Sequence, residues 1–65
     1  LHDALRACLA ALPERERSVL VHSYLDGLTL AQIGRILGVT ESRVCQLRSA
    51  ALKAVRADLT ARLAN

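Results

Sequence analysis

Residues 29–48 read TLAQIGRILGVTESRVCQLR and contain two helix starts that a single tight turn separates. Thr29 and Gln32 have the spacing of a capping box, in which each side chain accepts a hydrogen bond from the other residue's backbone N–H. Thr40 provides a second N-cap, and Gly38, just before it, can adopt the positive φ that ends a helix. The stretch therefore predicts a short helix, a tight turn at Gly38 and the start of another helix.

The apolar residues of both helices recur at three- and four-residue spacing, which is typical of a helix with one buried face. In the shorter helix this face consists of Leu30, Ile33 and Leu37. Ala31 and Gly34 are small enough to let another helix approach closely, and Val39 in the turn is available to enter the core. The longer helix is predicted from Glu41 to Leu63, roughly 35 Å at 1.5 Å per residue. Its inward-facing stripe is Val44, Leu47, Ala51, Val55 and Leu59.

Two further helices are predicted before this pair. Pro13 suits the first position of a helix, and Glu14 and Glu16 suit its first turn, where the helix dipole favours acidic side chains. That helix is expected to end near the Asp26-Gly27 pair, with three inward-facing residues, Val19, Leu20 and Tyr24. The helix before it is expected to run to about residue 11 or 12, on the apolar spacing of Leu1, Leu5, Cys8, Leu9 and Leu12.

Together these patterns predict an all-α fold, a four-helix domain over residues 1–65 with a helix-turn-helix at about residues 29–56. The chain contains no Met, not even at position 1, and is expected to be a fragment of a longer protein. No apolar run approaches the roughly 20 residues that span a bilayer, and the N-terminus lacks a signal-peptide pattern. A cytoplasmic protein with no membrane partner is therefore expected.

The residue types that carry catalysis or bind metals are scattered along the chain. Cys8 and Cys45 have neither the spacing of a disulfide framework nor that of a Cys-x-x-Cys metal site. One bridge between them stays open, although a reduced cytosolic setting is the better expectation. The positions of His2 and His22 add no zinc-ligand spacing, and no nucleophile–base pair or Gly-rich phosphate loop is present. We expect no enzyme activity, no catalytic residue, no metal and no cofactor, and we expect Cys8 to lie in the core.

The net charge of +3 comes entirely from the last 25 residues. Residues 1–40 hold four basic and four acidic side chains, whereas residues 41–65 hold five basic and two acidic ones. A basic surplus confined to one terminal segment favours an anionic partner. An ordinary solvated helix face would give the same imbalance.

The outward side of the long helix carries side chains suited to DNA. At about 100° per residue, the positions opposite the buried stripe and beside it are Ser42, Gln46, Ser49, Lys53, Arg43, Cys45 and Arg56. In the major groove Arg can bridge guanine O6 and N7, and Gln can bridge adenine N6 and N7. Ser and Lys can hold phosphates, and the free amides that follow Thr40 favour an anion. Because a helix-turn-helix places its second helix in the major groove, this helix is predicted to be a DNA recognition helix.

Four stretches carry a closer resemblance: LPERER at 12–17, DGLTLAQIG at 26–34, GVTESRV at 38–44 and QLRSAAL at 46–52. Over about residues 1–60 the chain resembles region 4 of bacterial sigma factors, their C-terminal helix-turn-helix domain. Within that family it is most similar to the flagellar and related alternative class. The resemblance implies recognition of the upstream (−35) element in double-stranded promoter DNA while the sigma factor is bound to RNA polymerase.

The resemblance also implies roles for individual residues. The residues at the positions where the family's recognition helix begins and meets DNA are Thr40, Glu41, Ser42, Arg43, Cys45 and Gln46. Arg43 and Gln46 are expected to contact bases directly, whereas Ser49, Lys53 and Arg56 are expected nearer the DNA backbone. Cys45 stands where serine is usual, and Arg48 stands where histidine is common in the flagellar class, so the promoter preference is open. The family further implies two protein partners, the flap-tip helix of the polymerase β subunit and an anti-sigma factor.

Two other functions fit parts of the pattern. Response-regulator-type transcription factors also have a four-helix body with a helix-turn-helix, and dimerisation through the last helix would favour that class. A protein-interaction module, in which the basic helix docks on an acidic protein such as an anti-sigma factor, is the alternative of a different kind. For Cys45, a thiol that blocks DNA binding when oxidised is the alternative to a plain substitute for serine.

Overall fold

The computed structural model describes residues 2–64 as four helices joined by short connections. Leu1, which the sequence places on the apolar stripe of the first helix, lies outside the described residues. The helices are α1 (His2–Ala11), α2 (Glu14–Leu20), α3 (Leu30–Leu37) and α4 (Glu41–Leu63), and a π-helical turn (Val21–Leu25) continues α2. The all-α prediction is confirmed, and α4 begins and ends at the predicted residues. None of the helices that the structure describes has the length and apolar character required to cross a bilayer.

Both predicted N-caps are formed. The Thr29 amide donates to Gln32 Oε1 at 2.8 Å, and the Gln32 amide donates to Thr29 Oγ1 at 3.1 Å, which completes the capping box of α3. Thr40 Oγ1 accepts from the Arg43 amide at 3.1 Å and caps α4 in the same way. Because these bonds satisfy amides that have no partner inside the helix, they fix where each helix starts.

The turn between α3 and α4 depends on two glycines. Gly38 has φ 72° and ψ 33°, the left-handed conformation predicted for it. Gly34 is buried against the turn: the Val39 amide donates to its carbonyl at 2.9 Å, and a Cβ on Gly34 would lie 2.7 Å from the Val39 carbonyl oxygen. The close approach predicted for Gly34 is therefore confirmed, although its neighbour is the turn backbone. The same prediction for Ala31 is wrong, because Ala31 lies on the solvent side of α3, opposite Ile33.

The core consists of two clusters that share α2 and α4. The first joins α2, α3 and the start of α4 through Val19, Ile33, Val44 and Leu47. Val39 packs against this cluster from the turn, as predicted. The second cluster joins the end of α1 to α2 and the middle of α4 through Leu12, Leu20 and Ala51. The first cluster therefore fixes the helix-turn-helix, and the second holds α1 against it.

The segment after α2 departs from the sequence prediction at Tyr24. The Asp26 amide donates to the Val21 carbonyl at 3.1 Å, the i to i−5 pattern of a π-helical turn, and Gly27 with φ 68° then ends the helix near the predicted pair. Tyr24 is 60% exposed, so the prediction that it points inward is wrong. It lies on the same side of the helix as the buried Leu20, but the space that both residues line is an open groove.

Cys8 is buried in the interior, as predicted, at 1% exposure. Burial raises the pKa of its thiol, and the neighbouring Asp58 carboxylate raises it further, while Arg62 acts in the opposite direction. Arg62 is also bonded to Asp58, from Nε to Oδ1 at 3.0 Å. Cys45 is exposed, and both cysteines are free thiols, so the bridge that the sequence left open is not formed.

We predict that Gly34→Ala destabilises the fold. Alanine in a helix is normally more stable than glycine by about 0.5–1 kcal/mol, but here the new methyl group would meet the Val39 carbonyl oxygen. Overpacking of this kind costs about 1–3 kcal/mol, so the midpoint of urea unfolding followed by circular dichroism should fall. The exposed Ala31→Gly in the same helix is the control and measures the helix-propensity difference alone. A Gly34→Ala variant as stable as the parent would show that the turn has room.

We also predict that the two thiols differ sharply in reactivity. In the native chain at pH 8, iodoacetamide should modify Cys45 quickly, and it should modify Cys8 only as fast as the core opens. In Cys45→Ser, mass spectrometry should therefore find no rapid modification. Since the folded-state pKa of Cys8 is raised, its contribution to stability is complete below the pKa of an unfolded thiol, about 8.5, and is lost as the pH rises toward the folded-state value. Rapid modification of both thiols would contradict the buried position of Cys8.

Candidate nucleic-acid interface

The residues predicted to contact DNA are all exposed. Thr40 lies at the N-cap of α4, and the others lie in its first 16 residues. The exposed set is Thr40, Glu41, Ser42, Arg43, Cys45, Gln46, Ser49, Lys53 and Arg56. Among them run the buried Val44, Leu47 and Ala51, which hold the helix against the rest of the domain. The structure therefore brings the predicted site residues together on one helix without using any of them in the core.

Five of these residues form one line along α4, which we call the polar stripe: Ser42, Gln46, Ser49, Lys53 and Arg56. Their spacings alternate between four and three residues, so they remain on one side of the helix. The stripe is about 21 Å long at 1.5 Å per residue. An α-helix fits into the major groove of B-DNA, which is about 12 Å wide, so the stripe can lie along base edges at one end and phosphates at the other.

The N-terminal end of α4 carries the groups best suited to bases. Thr40 accepts the Arg43 amide, and the helix dipole at this end favours negative charge. Glu41 occupies the first turn, and a carboxylate is the acceptor that suits the amino group of cytosine. This end therefore combines an acceptor at Glu41 with donors at Arg43 and Gln46, which is the chemistry of base-edge recognition.

Arg43 and Gln46 are joined to each other. Arg43 Nη1 donates to Gln46 Oε1 at 3.3 Å, three residues apart on an exposed face of the helix. A guanidinium group has only donors, so the amide oxygen of Gln46 faces Arg43 and its NH₂ group faces away. Beyond the three-residue spacing, nothing in the sequence indicates this pair, because either side chain could equally extend into solvent.

Within the described part of the chain, no carboxylate pairs with Lys53 or Arg56, the two positively charged residues of the polar stripe. Over residues 2–64 the contacts between basic and acidic side chains are His22–Asp26 at 2.9 Å and Asp58–Arg62 at 3.0 Å, and both lie away from the stripe. Arg48 is half-buried and lies about 120° around α4 from the centre of the stripe, close to the buried side of the helix. Lys53 and Arg56 are exposed and remain available to phosphates, the groups that dominate non-specific DNA affinity.

A second surface was missed by the sequence analysis. An open groove of about 220 Å³ lies between α1, the π-helical turn and α4, and only apolar surface lines it. Its walls are Leu5, Leu9, Leu20, Val21, Tyr24, Leu25, Leu52 and Val55. At about 100° per residue, Leu52 and Val55 lie about 80° and 140° around α4 from the centre of the polar stripe, so the groove opens on a neighbouring but different side of the same helix. The available signal was the Tyr24-Leu25 pair, because two adjacent bulky apolar residues of a helix point about 100° apart and cannot both face the middle of one core.

No group of three or more His, Cys, Asp or Glu side chains comes together in the described residues in a way that could hold a metal ion. His22 Nδ1 instead contacts Asp26 Oδ2 at 2.9 Å one turn away, and His2 Nε2 lies 3.1 Å from Arg6. Both histidines thus have local partners on the surface of their own helix.

Comparison with known families and proteins agrees with this geometry. The family model described as Sigma-70, region 4 matches residues 8–57. RNA polymerase sigma factor FliA of Pseudomonas aeruginosa is 52% identical over 56 residues, which are 86% of this chain and 23% of that protein. FliA of Yersinia enterocolitica is 53% identical over 59 residues, 91% of this chain and 26% of that protein. RNA polymerase sigma factor SigF of Mycobacterium tuberculosis is 40% identical over 57 residues, 88% of this chain and 22% of that protein.

The chain thus spans about a quarter of the length of the curated relatives it matches. No solved structure gives a significant match. The matched residues 8–57 contain α3, the turn, the first 17 residues of α4 and all of the polar stripe.

Proposed function

Since this chain belongs to the sigma-70 region 4 family, whose domain recognises the −35 promoter element, we propose that α4 makes that contact in the major groove. Region 4 is a non-enzymatic part of a transcription initiation factor, and the FliA and SigF relatives confirm the resemblance to the flagellar and alternative class. The proposal extends to residues 1–65 as one region 4 domain of a longer, cytoplasmic sigma factor that works with RNA polymerase.

The observation that carries the proposal is the polar stripe on a helix whose opposite side is fixed in the core. Val44 and Ala51 are fully buried, so α4 cannot rotate without opening the domain, and its exposed side chains keep one direction. A recognition helix needs this rigidity because each base contact depends on placing donors within hydrogen-bond distance of a base edge.

Within this interface we assign the residues nearest the N-terminus of α4 to bases and the later ones to phosphates. Arg43 and Gln46 contact base edges directly, with Glu41 and Ser42 beside them. The residues assigned to the DNA backbone are Thr40, Ser49, Lys53 and Arg56. Cys45 lies among the base-contacting residues as a substitute for serine, with a weaker donor in place of the hydroxyl.

The isolated domain is expected to bind DNA weakly. A single module of this size buries only about 600–1,000 Å² against DNA, and few of its contacts reach bases. The other regions of the sigma factor and the polymerase supply the remaining free energy of binding. Salt should weaken the interaction steeply, because phosphate contacts release counterions.

We further propose that the apolar groove binds the flap-tip helix of the polymerase β subunit. The groove is lined only by apolar surface, and the exposed Leu25 and Tyr24 at its edge would be covered by an amphipathic helix. Because the groove and the polar stripe use different sides of α4, the domain can hold the polymerase and DNA at once. An anti-sigma factor that covers the same groove would separate the domain from the polymerase.

The response-regulator alternative has no support in the relatives, which are sigma factors at 40–53% identity. The protein-interaction alternative is retained in a narrower form. The groove, rather than the basic helix, is the surface suited to a protein partner.

We predict that Arg43→Ala and Lys53→Ala weaken DNA binding in different ways. Arg43→Ala should lose about 1–3 kcal/mol of discrimination at one base pair. Lys53→Ala should weaken promoter and random duplexes alike and reduce the salt dependence by about one phosphate contact. Fluorescence anisotropy on a duplex library randomised across the −35 hexamer, at two salt concentrations, distinguishes the two. Equal losses on promoter and random duplexes for Arg43→Ala would refute its assignment to a base.

We predict that Leu25→Ser weakens binding to the β flap and leaves DNA binding unchanged. Leu25 is 76% exposed at the edge of the groove, so the substitution should not unfold the domain. Burying a leucine contributes roughly 1.5–3 kcal/mol, so a loss of affinity for polymerase core of at least about tenfold is expected. The matched control is Ile36→Ser on α3, which is 58% exposed and outside the groove. If Ile36→Ser lost as much affinity as Leu25→Ser, the groove would not be the docking site.

A further inference from the structure

We propose that Gln46 is a positioning residue for Arg43, so that the two side chains recognise DNA as a single unit rather than as two independent contacts. The proposal rests on the proposed function, since it concerns how the same interface achieves its specificity. Its starting point is the hydrogen bond from Arg43 Nη1 to Gln46 Oε1, 3.3 Å long.

The backbone beneath this pair is fixed at both ends. Thr40 Oγ1 accepts the Arg43 amide at 3.1 Å, and Val44 and Leu47, the neighbours of Arg43 and Gln46 in sequence, are buried in the first core cluster. The Cα positions of the two residues are therefore set by the fold. What remains free in an exposed arginine is its long side chain, and the bond to Gln46 restricts that side chain in the absence of DNA.

The hydrogen bond to Gln46 leaves the Arg43 guanidinium enough free N–H donors to recognise guanine. A guanidinium group has five N–H donors; one points to Gln46, and two suffice for the forked contact with guanine O6 and N7. Gln46 uses a lone pair of Oε1 on Arg43 and keeps two N–H donors directed outward. The outward side of the pair thus presents donors only.

This arrangement changes what Gln46 itself can select. The bidentate contact of glutamine with adenine needs Oε1 to accept from N6 while the NH₂ group donates to N7. With Oε1 turned to Arg43, Gln46 acts as a donor to any base that offers an acceptor in the major groove, including guanine N7 and thymine O4. Gln46 therefore contributes less to selection at its own base pair than the bidentate contact would give, and more at the base pair that Arg43 contacts.

The size of the effect follows from side-chain entropy. Immobilising one long side chain at an interface costs about 0.5–1.5 kcal/mol, which corresponds to roughly 2- to 12-fold in affinity. A bond that restricts Arg43 beforehand removes part of that cost. We therefore expect loss of Gln46 Oε1 to reduce the base discrimination of Arg43 by about 2- to 10-fold, without altering the number of phosphate contacts.

The test compares five variants of the chain with the parent: Gln46→Leu, Gln46→Glu, Arg43→Ala, the double variant Arg43→Ala/Gln46→Leu, and Ser49→Ala. Gln46→Leu removes the acceptor at similar volume, whereas Gln46→Glu keeps an acceptor for Arg43. Ser49→Ala, on the same stripe one turn onward, is the matched control. Affinities are measured by fluorescence anisotropy on duplexes carrying each of the four bases at every position of the −35 hexamer.

The expected result is coupling at one base pair. Gln46→Leu should lower discrimination at the Arg43 base pair 2- to 10-fold, and should have almost no further effect when Arg43 is already alanine. Gln46→Glu should weaken all duplexes, because its charge repels phosphates, and yet retain the discrimination at that base pair. Ser49→Ala, at a residue assigned to the DNA backbone, should weaken all duplexes alike and leave the discrimination between bases unchanged at every position.

A DNA-free measurement separates this proposal from the proposed function. In the parent chain, ¹⁵N relaxation of the Arg43 guanidinium should show restricted motion that Gln46→Leu releases and Gln46→Glu does not. If the parent chain shows no sequence preference at all, the proposed function is refuted, and so is the proposal that Arg43 and Gln46 recognise DNA together. If the parent has a preference and Gln46→Leu leaves the Arg43 base pair unaffected, only the positioning role of Gln46 is refuted.

Discussion

The contact between Gly34 and the turn backbone is the constraint on which the rest of the structure depends. With room for no side chain at Gly34, α3 and the turn approach until a Cβ would lie 2.7 Å from the Val39 carbonyl oxygen. Gly38 then reverses the chain in a left-handed conformation, and Thr40 starts α4 two residues later. The angle between α3 and α4 is therefore determined by backbone packing over residues 34–40, and the direction of α4 follows from it.

Because α4 is a regular helix, fixing its direction also decides which of its residues face the core and which face outward. Burying Val44, Leu47 and Ala51 against α2 and α3 places the polar stripe outward, since residues on one helix cannot change sides independently. The same helix contributes Leu52 and Val55 to the apolar groove on another side. One rigid element thus carries the core, the proposed DNA surface and the proposed polymerase surface, so a partner in the groove would also orient the polar stripe.

Features that depend on residues close in sequence could be predicted from the sequence. Features that depend on how completely the helices cover one another could not. The capping box at Thr29 and Gln32 and the glycine at position 38 act through neighbours within a few residues, so their spacing was sufficient. The inward assignment of Tyr24 was wrong, because periodicity identifies the side of a helix but not whether another element covers it. The groove was missed for the same reason. The pairing of Arg43 with Gln46 depends on rotamers, which no spacing determines, so the site was predicted as separate residues.

The weak DNA binding expected of a single small module makes the ordering of individual side chains more important than in a large interface. A module that buries about 600–1,000 Å² has few base contacts over which to spread the cost of immobilising long side chains. Pairing Arg43 with Gln46 in the free protein would lower that cost at the proposed base contact, and Lys53 and Arg56, which we propose to face phosphates, can stay mobile because charge attraction tolerates imprecise geometry. Order at the N-terminal end of α4 therefore suits the proposed base contacts of Arg43 and Gln46, and freedom further along the helix suits the proposed phosphate contacts.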